Sequence, residues 1–252
     1  MQKLGKVYFV GAGPGDPELL TVKAKRLLET ASCVIYPGSL LNPEIIKGIR
    51  ATLFDSSKMA LEELVDLMEQ HVKKGEDVVR LVSGDPSIYS AIQEQMEELK
   101  SRGIPYEVIP GVSSAMAGAA IMAVELTVPE ISEAVILLRF KGNTGGLTKE
   151  EIKRIASLRA TMVFFLSTSL VKPLKETLLE TLPGDTPIAV LHKITWPDGQ
   201  VFLGKLSELD LIIERNSIKR TALIYVGEAL KAIKEPFGKR SKLYGNKKHE
   251  AR

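Results

Sequence analysis

Cysteine is nearly absent: Cys33 is the only one in 252 residues. One thiol closes no internal disulfide, which excludes a disulfide framework and suits a reducing compartment. Histidine is almost as scarce. His71, His192 and His249 are dispersed, and neither a zinc-type spacing nor a Ser-His-Asp arrangement stands out, so no metal is expected. Long apolar runs are missing as well. Val108 to Val124 is uncharged but broken by Pro110, Gly111 and two serines, short of the roughly 18 apolar residues a membrane helix needs. Met1–Val10 does not read as a signal peptide, because Gly11, Pro14 and Asp16 cut its apolar run short. The phosphate-loop signature G-x-x-x-x-G-K-[ST] occurs nowhere, which removes the phosphate-loop NTPases. A soluble cytoplasmic protein is the expectation, with no membrane partner.

A strong charge of one sign is lacking from most of the chain. The formal net charge is +3, yet Lys234–Arg252 holds seven basic residues against Glu235 and Glu250, so the remaining body is slightly acidic at −2. A basic nucleic-acid face over the whole domain is therefore not expected. With 44% hydrophobic and 26% charged residues, the chain is too apolar for disorder and long enough to bury a substantial core.

What is present is an alternation of short β-rich runs with amphipathic stretches. Lys6–Gly11, Cys33–Tyr36, Thr52–Phe54, Asp77–Val82 and Tyr106–Ile109 read as strands. Pro17–Ala31, Pro43–Ile49, Ala60–Lys74, Ser87–Arg102 and the small-residue run Ser113–Val124 read as helices. This order implies right-handed βαβ crossovers and a largely parallel sheet. The pattern then restarts. Strands are expected at Ala134–Leu138, Thr161–Ser167, Pro187–His192, Val201–Leu203 and Thr221–Gly227, with helices at Lys149–Ser157, Val171–Thr181 and Ser207–Glu214. The fold class is thus α/β with two domains, 1–124 and 133–233, whose sheets are largely parallel or mixed. Glu125–Ser132 reads as a linker, and 234–252 as a basic, mobile tail.

The first strand runs into Gly11-Ala12-Gly13-Pro14-Gly15-Asp16-Pro17. Glycines at a strand's carboxyl end permit a sharp turn and close approach of a ligand. A dinucleotide fingerprint would place glycine where Asp16 stands, and a carboxylate there opposes a phosphate. Asp16-Pro17 also reads as helix capping. The same Gly-Asp-Pro recurs at Gly84-Asp85-Pro86, and a third turn follows at Ile109-Pro110-Gly111-Val112-Ser113-Ser114. All three belong on the carboxyl rim of a parallel sheet, where open α/β sheets bind ligands.

VGAGPGDPELLT, SGDPSIYS and VIPGVSS resemble the three N-terminal signatures of the tetrapyrrole methylase family, the class III S-adenosylmethionine-dependent methyltransferases. YPGSLL (Tyr36–Leu41), AVELTVPE (Ala123–Glu130) and HKITWPDG (His192–Gly199) are similar to the branch that methylates C11 of precorrin-4 or cobalt-precorrin-4 in cobalamin biosynthesis. The resemblance covers roughly residues 4–230. It implies two α/β domains with a cofactor cleft between them, a homodimer, and S-adenosylmethionine as cofactor with S-adenosylhomocysteine as product. Carried over by motif, the cofactor contacts are Pro14, Gly84, Asp85, Ile88, Ser113, Ser114 and Ala117. From the second half come Leu166, Ile194, Thr195, Thr221 and Ala222. Ser113 and Ser114 stand where relatives often carry Thr and Ala, and Leu166 where some carry Met.

Methyl transfer from a sulfonium to an electron-rich carbon needs alignment and exclusion of water more than a metal or a covalent nucleophile. If a carboxylate steers a proton, Asp85 is the nearest, as the candidate catalytic residue; otherwise it is an N-cap with a cofactor contact. The acceptor would carry many carboxylates, so cations are expected near it. Arg139 is the first choice, then Lys193 and Arg220, each of which also reads as a solvated charge. Trp196, the only tryptophan, either stacks on a macrocycle or anchors the turn Pro197-Asp198-Gly199. The other readings are a family member methylating a different carbon, as in corrin or siroheme biosynthesis, or a protein or ribosomal RNA acceptor. More remote are a dinucleotide-dependent oxidoreductase and a nucleic-acid-binding protein suggested only by the tail.

Overall fold

A computed structural model describes residues 4–142 and 145–237. The part of the basic tail from Gly238 onward lies outside the described residues. By contacts the chain divides into two units, one comprising Met1–Ala117 with Lys193–Asp198, the other Gly118–His192 with Gly199–Arg252.

In the first unit, β1 (Val7–Gly11), β2 (Cys33–Tyr36), β3 (Thr52–Asp55), β4 (Val78–Val82) and β5 (Tyr106–Ile109) form one sheet in the order β3-β2-β4-β1-β5. Every pairing is parallel. The central strands VYFVG and VVRLV are almost wholly buried, as expected when both faces of a parallel sheet are covered. One face carries Val7, Phe9, Cys33, Ile35, Val78 and Val82 against α2 (Leu61–Lys73) and α3 (Ile92–Ser101). The other carries Val10, Val34, Val79, Leu81 and Ile109 against Ala24 and Leu28 of α1 (Val22–Thr30).

Two helices are shorter than their periodicity suggests. The apolar pattern from Pro17 to Ala31 is cut by a 3-10 turn at Pro17–Leu19, after which Leu20 and Thr21 are extended. Thr21 then caps α1 by accepting a hydrogen bond from Ala24 N at 3.2 Å, so two N-caps compete within one stretch. The stretch from Ser87 is helical only from Ile92, because Tyr89 (φ 53) and Ala91 (φ 50) are left-handed. Neither Gly-Asp-Pro turn therefore leads straight into an α-helix. Pro43–Ile45 is likewise one 3-10 turn rather than a helix to Ile49.

In the second unit, β6 (Val135–Arg139), β7 (Thr161–Phe165), β8 (Pro187–His192), β9 (Gln200–Lys205) and β10 (Ala222–Val226) are ordered β6-β7-β10-β8-β9. Only β6 and β7, joined through α5 (Lys149–Ala156), run parallel. β8 and β9 form an antiparallel pair, and β10 inserts antiparallel between β7 and β8. The sheet is mixed for that reason. Its core packs Met162, Phe164, Ile188, Val190 and Ile224 against α5, α6 (Val171–Leu179) and α7 (Leu209–Arg215). Residues 125–132 belong to this unit, where Thr161 Oγ1 donates to Leu126 O at 2.7 Å and pairs with Ser132 Oγ at 2.8 Å. α4 (Ser114–Ile121) contains the division between the units. Among the described residues no helix is long and apolar enough to cross a membrane.

Candidate functional site

The chain leaves β1 toward the α1 face and leaves β4 toward the α3 face, although β1 and β4 are neighbours. Adjacent strands whose connections diverge leave a crevice at their carboxyl ends, the place where open α/β sheets bind ligands. Gly13 and Gly84 meet there. Gly84 N donates to Gly13 O at 2.8 Å, and Gly13 N donates to Gly84 O at 3.2 Å. Gly84 has φ 68, a conformation that a side chain strains, and the atoms nearest a hypothetical Cβ are Ser114 N and Ser113 Cα at 3.8 and 3.9 Å. The third turn closes from the β5 side: Gly111 packs so tightly on Gly11 and Gly84 O that no Cβ fits. The three turns singled out in the sequence thus form one rim, built from the adjacent strands β4, β1 and β5.

Asp85 holds this rim together. Its Oδ2 accepts from Gly111 N at 2.9 Å, and its Oδ1 accepts from Ser87 N at 2.9 Å and from the Ser87 hydroxyl. Partial burial pushes the carboxyl up, but these hydrogen bonds outweigh it and hold the pKa below the ordinary aspartate value. A carboxylate so engaged is a weak proton acceptor. The geometry suits it to positioning, and it is no helix N-cap, since α3 begins at Ile92.

The first turn is held by side chains. Asn42 Nδ2 donates to Gly15 O at 2.8 Å, Trp196 Nε1 donates to Pro14 O at 3.1 Å, and Thr195 Oγ1 accepts from Asp16 N at 2.9 Å. Asp16 Oδ1 accepts from Glu18 N at 2.8 Å, so its carboxylate caps the 3-10 turn. Asn42 escaped the sequence reading. Asn42-Pro43 looks like a simple cap, and its Oδ1 does accept from Glu44 N at 3.2 Å, but the same buried side chain also reaches the glycine turn.

Pro14, Gly84, Asp85, Ile88, Ser113, Ser114, Ala117, Ile194 and Thr195 all fall in the first unit, the last two on the loop Lys193–Asp198. Lys193 and Trp196 lie on that loop too. Lys193 Nζ pairs with Asp198 and sits 5.7 Å from the Trp196 ring centroid. The remaining candidates gather at one end of the second unit's sheet. Leu166 follows β7 and is 61% exposed. β10 pairs with β7 from Ile224↔Phe164 onward and begins at Ala222, with Thr221 just before it, while Arg139 pairs with Phe165. Arg220 is exposed beside Thr221.

Leu166 (φ 51), Lys193 (φ 47), Thr195 (φ 64) and Thr221 (φ 56) are left-handed without being glycine. Each such residue costs on the order of 1–3 kcal/mol, and such strain concentrates at functional sites. No residue-type pattern signals this in a sequence.

A parallel sheet with glycine turns at its switch point, an acidic residue where a phosphate would rest, and a second mixed sheet define a class. It is the class of α/β proteins whose parallel sheet offers a ligand-binding rim at the carboxyl ends of its strands. The family of Tetrapyrrole (Corrin/Porphyrin) Methylases matches residues 6–210. The cobalt-precorrin-4 C(11)-methyltransferase of Methanocaldococcus jannaschii is 43% identical over 251 residues, 98% of this chain and 96% of that one. The solved structure of a cobalamin biosynthetic enzyme, cobalt precorrin-4 methyltransferase, superposes with a TM-score of 0.86 at 38% identity, covering 92% of this chain and 96% of the other. Uroporphyrin-III C-methyltransferase from Thermus thermophilus, solved with S-adenosylhomocysteine, gives a TM-score of 0.77 at 27% identity over 90% of this chain and 100% of that one. The chain belongs to the tetrapyrrole methylase family.

Proposed function

We propose that this protein transfers a methyl group from S-adenosylmethionine to C11 of precorrin-4 or cobalt-precorrin-4. The observation that carries the reading is the likeness to a cobalt-precorrin-4 C(11)-methyltransferase over 98% of the chain. The first unit's rim fits the cofactor. It offers a space beside Gly84 that a Cβ would enter and the carboxylate of Asp16 in place of an anion cradle. A sulfonium nucleoside without phosphate suits such a surface, and a dinucleotide does not. Pro14, Gly84, Ile88, Ser113, Ser114, Ala117, Ile194 and Thr195 would hold it there.

When bound, S-adenosylmethionine supplies an electrophilic methyl carbon on a sulfonium. The chain's own residues then have two tasks. The rim fixes the cofactor's orientation through groups that are already hydrogen-bonded in place, so little reorganisation remains for the reaction. Asp85 keeps the second and third turns together and stays ionised. Leu166, Thr221 and Ala222 are taken as further cofactor contacts, and Arg139 and Arg220 as cations for the acceptor's carboxylates. The family resemblance extends the reading to a homodimer in the cytoplasm, which light scattering on purified protein and fractionation of the source cells test.

The deciding experiment offers the purified protein methyl-labelled (13C) S-adenosylmethionine with precorrin-4 and, separately, cobalt-precorrin-4. NMR then locates the new carbon. Label at C11 is expected. Label at another carbon, or transfer to neither acceptor, overturns the assignment. Titration with NADH is expected to show no binding, in contrast to S-adenosylhomocysteine.

A further inference from the structure

Pro14, Gly15 and Asp16 form the middle of the first glycine turn, where the backbone has left the ladder of β1. Three polar groups in succession are each taken by a side chain remote in sequence: Pro14 O by Trp196 Nε1, Gly15 O by Asn42 Nδ2, and Asp16 N by Thr195 Oγ1. The turn has few conformational restraints of its own, because Gly13 and Gly15 both adopt positive φ and glycine loses more freedom on folding than any other residue. Its shape is therefore set from outside.

We propose that Trp196, Thr195 and Asn42 are a positioning set that fixes the first glycine turn for cofactor binding. Trp196 serves this turn and is not a stacking platform for the acceptor. The indole is committed on several sides. Its N–H is hydrogen-bonded at 3.1 Å to Pro14 O, and its Cδ1 and Nε1 fill the space a Cβ on Gly15 would require. The Lys193 ammonium lies over its ring, and that ammonium is itself paired with Asp198. Thr195 holds its hydroxyl against Asp16 N from a left-handed backbone, a conformation that persists only where its surroundings over-determine it. Asn42 is 5% exposed and uses both ends of its amide, one on Gly15 O and one on Glu44 N.

The inference rests on the reading that this turn meets S-adenosylmethionine, and the experiment separates the two. Full-length wild-type protein is first titrated calorimetrically with S-adenosylhomocysteine. Absence of binding overturns the functional reading itself. Given binding, Trp196→Phe keeps a ring but loses the N–H, and Thr195→Val keeps the shape but loses the hydroxyl. Each is expected to weaken S-adenosylhomocysteine by about 3- to 10-fold, the effect of one net hydrogen bond, while the acceptor KM stays within about twofold of wild type. Thr195→Ser is expected to restore the affinity, which a merely structural defect would not allow. Asn42→Ala provides the same readout should Trp196→Phe fold poorly. An unchanged S-adenosylhomocysteine affinity in Trp196→Phe with a raised acceptor KM makes the indole an acceptor platform and overturns the proposal. Unchanged affinity in Thr195→Val and Asn42→Ala overturns it as well.

Discussion

The carboxylate of Asp85 accepts from Gly111 N, Ser87 N and the Ser87 hydroxyl, and this occupancy separates two roles that the sequence left open. A general base contributes typically 10²- to 10⁴-fold to a rate. Asp85→Asn in such an enzyme would lower kcat and spare cofactor affinity. A positioning carboxylate predicts the other pattern, because the amide turns an N–H toward one of its former donors. Asp85→Asn is expected to weaken S-adenosylhomocysteine binding and to lower the melting temperature together. The sign of the pH effect follows from the depressed pKa in the folded state. The stability Asp85 contributes is fully present above its unfolded pKa, near 4, and is lost as pH falls through the lower folded value. The gap in melting temperature between wild type and Asp85→Asn should thus be constant from about pH 5 to 8 and shrink below about pH 4. Cys33 offers a second check at this scale. Its side chain is buried, and burial pushes the thiol up to about 12. A thiol reagent at pH 8 is expected to label the folded protein negligibly and to label one site per chain in denaturant.

Among the elements, the helix starts decide how much could be read in advance. Thr148 accepts from Glu151 N at 3.3 Å while Glu151 Oε2 accepts from Thr148 N at 2.8 Å, a reciprocal capping box that opens α5 where the sequence placed it. Thr148→Ala is expected to cost about 1 kcal/mol, measured by denaturant melts of the full chain, without loss of S-adenosylhomocysteine binding. The strands of both units were legible because apolar β-rich runs of four to six residues have few other fates. The 3-10 turns at Pro17–Leu19 and Pro43–Ile45 were not. There a proline at the first position and an Asp or Asn cap look the same whether one turn or three follow. The delayed start of α3 was hidden for another reason, since Tyr89 and Ala91 give no hint of a left-handed backbone. The rim itself was legible from its two Gly-Asp-Pro turns. Asn42 and the loop around Trp196 were not, because long-range hydrogen bonds leave no local pattern.

For the whole molecule, the distribution of charge matters more than its sum. Residues 238–252 hold six basic side chains against Glu250, so the chain without them passes from +3 to −2. A protein ending at Phe237 is expected to bind an anion exchanger at pH 7.5 and the full chain to flow through, with S-adenosylhomocysteine affinities expected to agree within about twofold. The opposite result, a large loss of affinity, would bring the basic end into the site. On the proposed reading, an acceptor rich in carboxylates would then meet only the cations of the body, with Arg139 and Arg220 as the candidates to substitute.

The hydrogen bonds from Trp196 to Pro14 and from Asp16 to Thr195 span 182 and 179 residues. In synthesis the glycine turn is made well before Thr195 and Trp196, two of its three anchors. A nascent chain stopped before Lys193 contains every strand of the first sheet but neither of these anchors. It can pair its strands on the ribosome and still lack the turn's final shape. The turn's final shape is thereby tied to Thr195 and Trp196, so whatever it serves must wait for residues far along the chain.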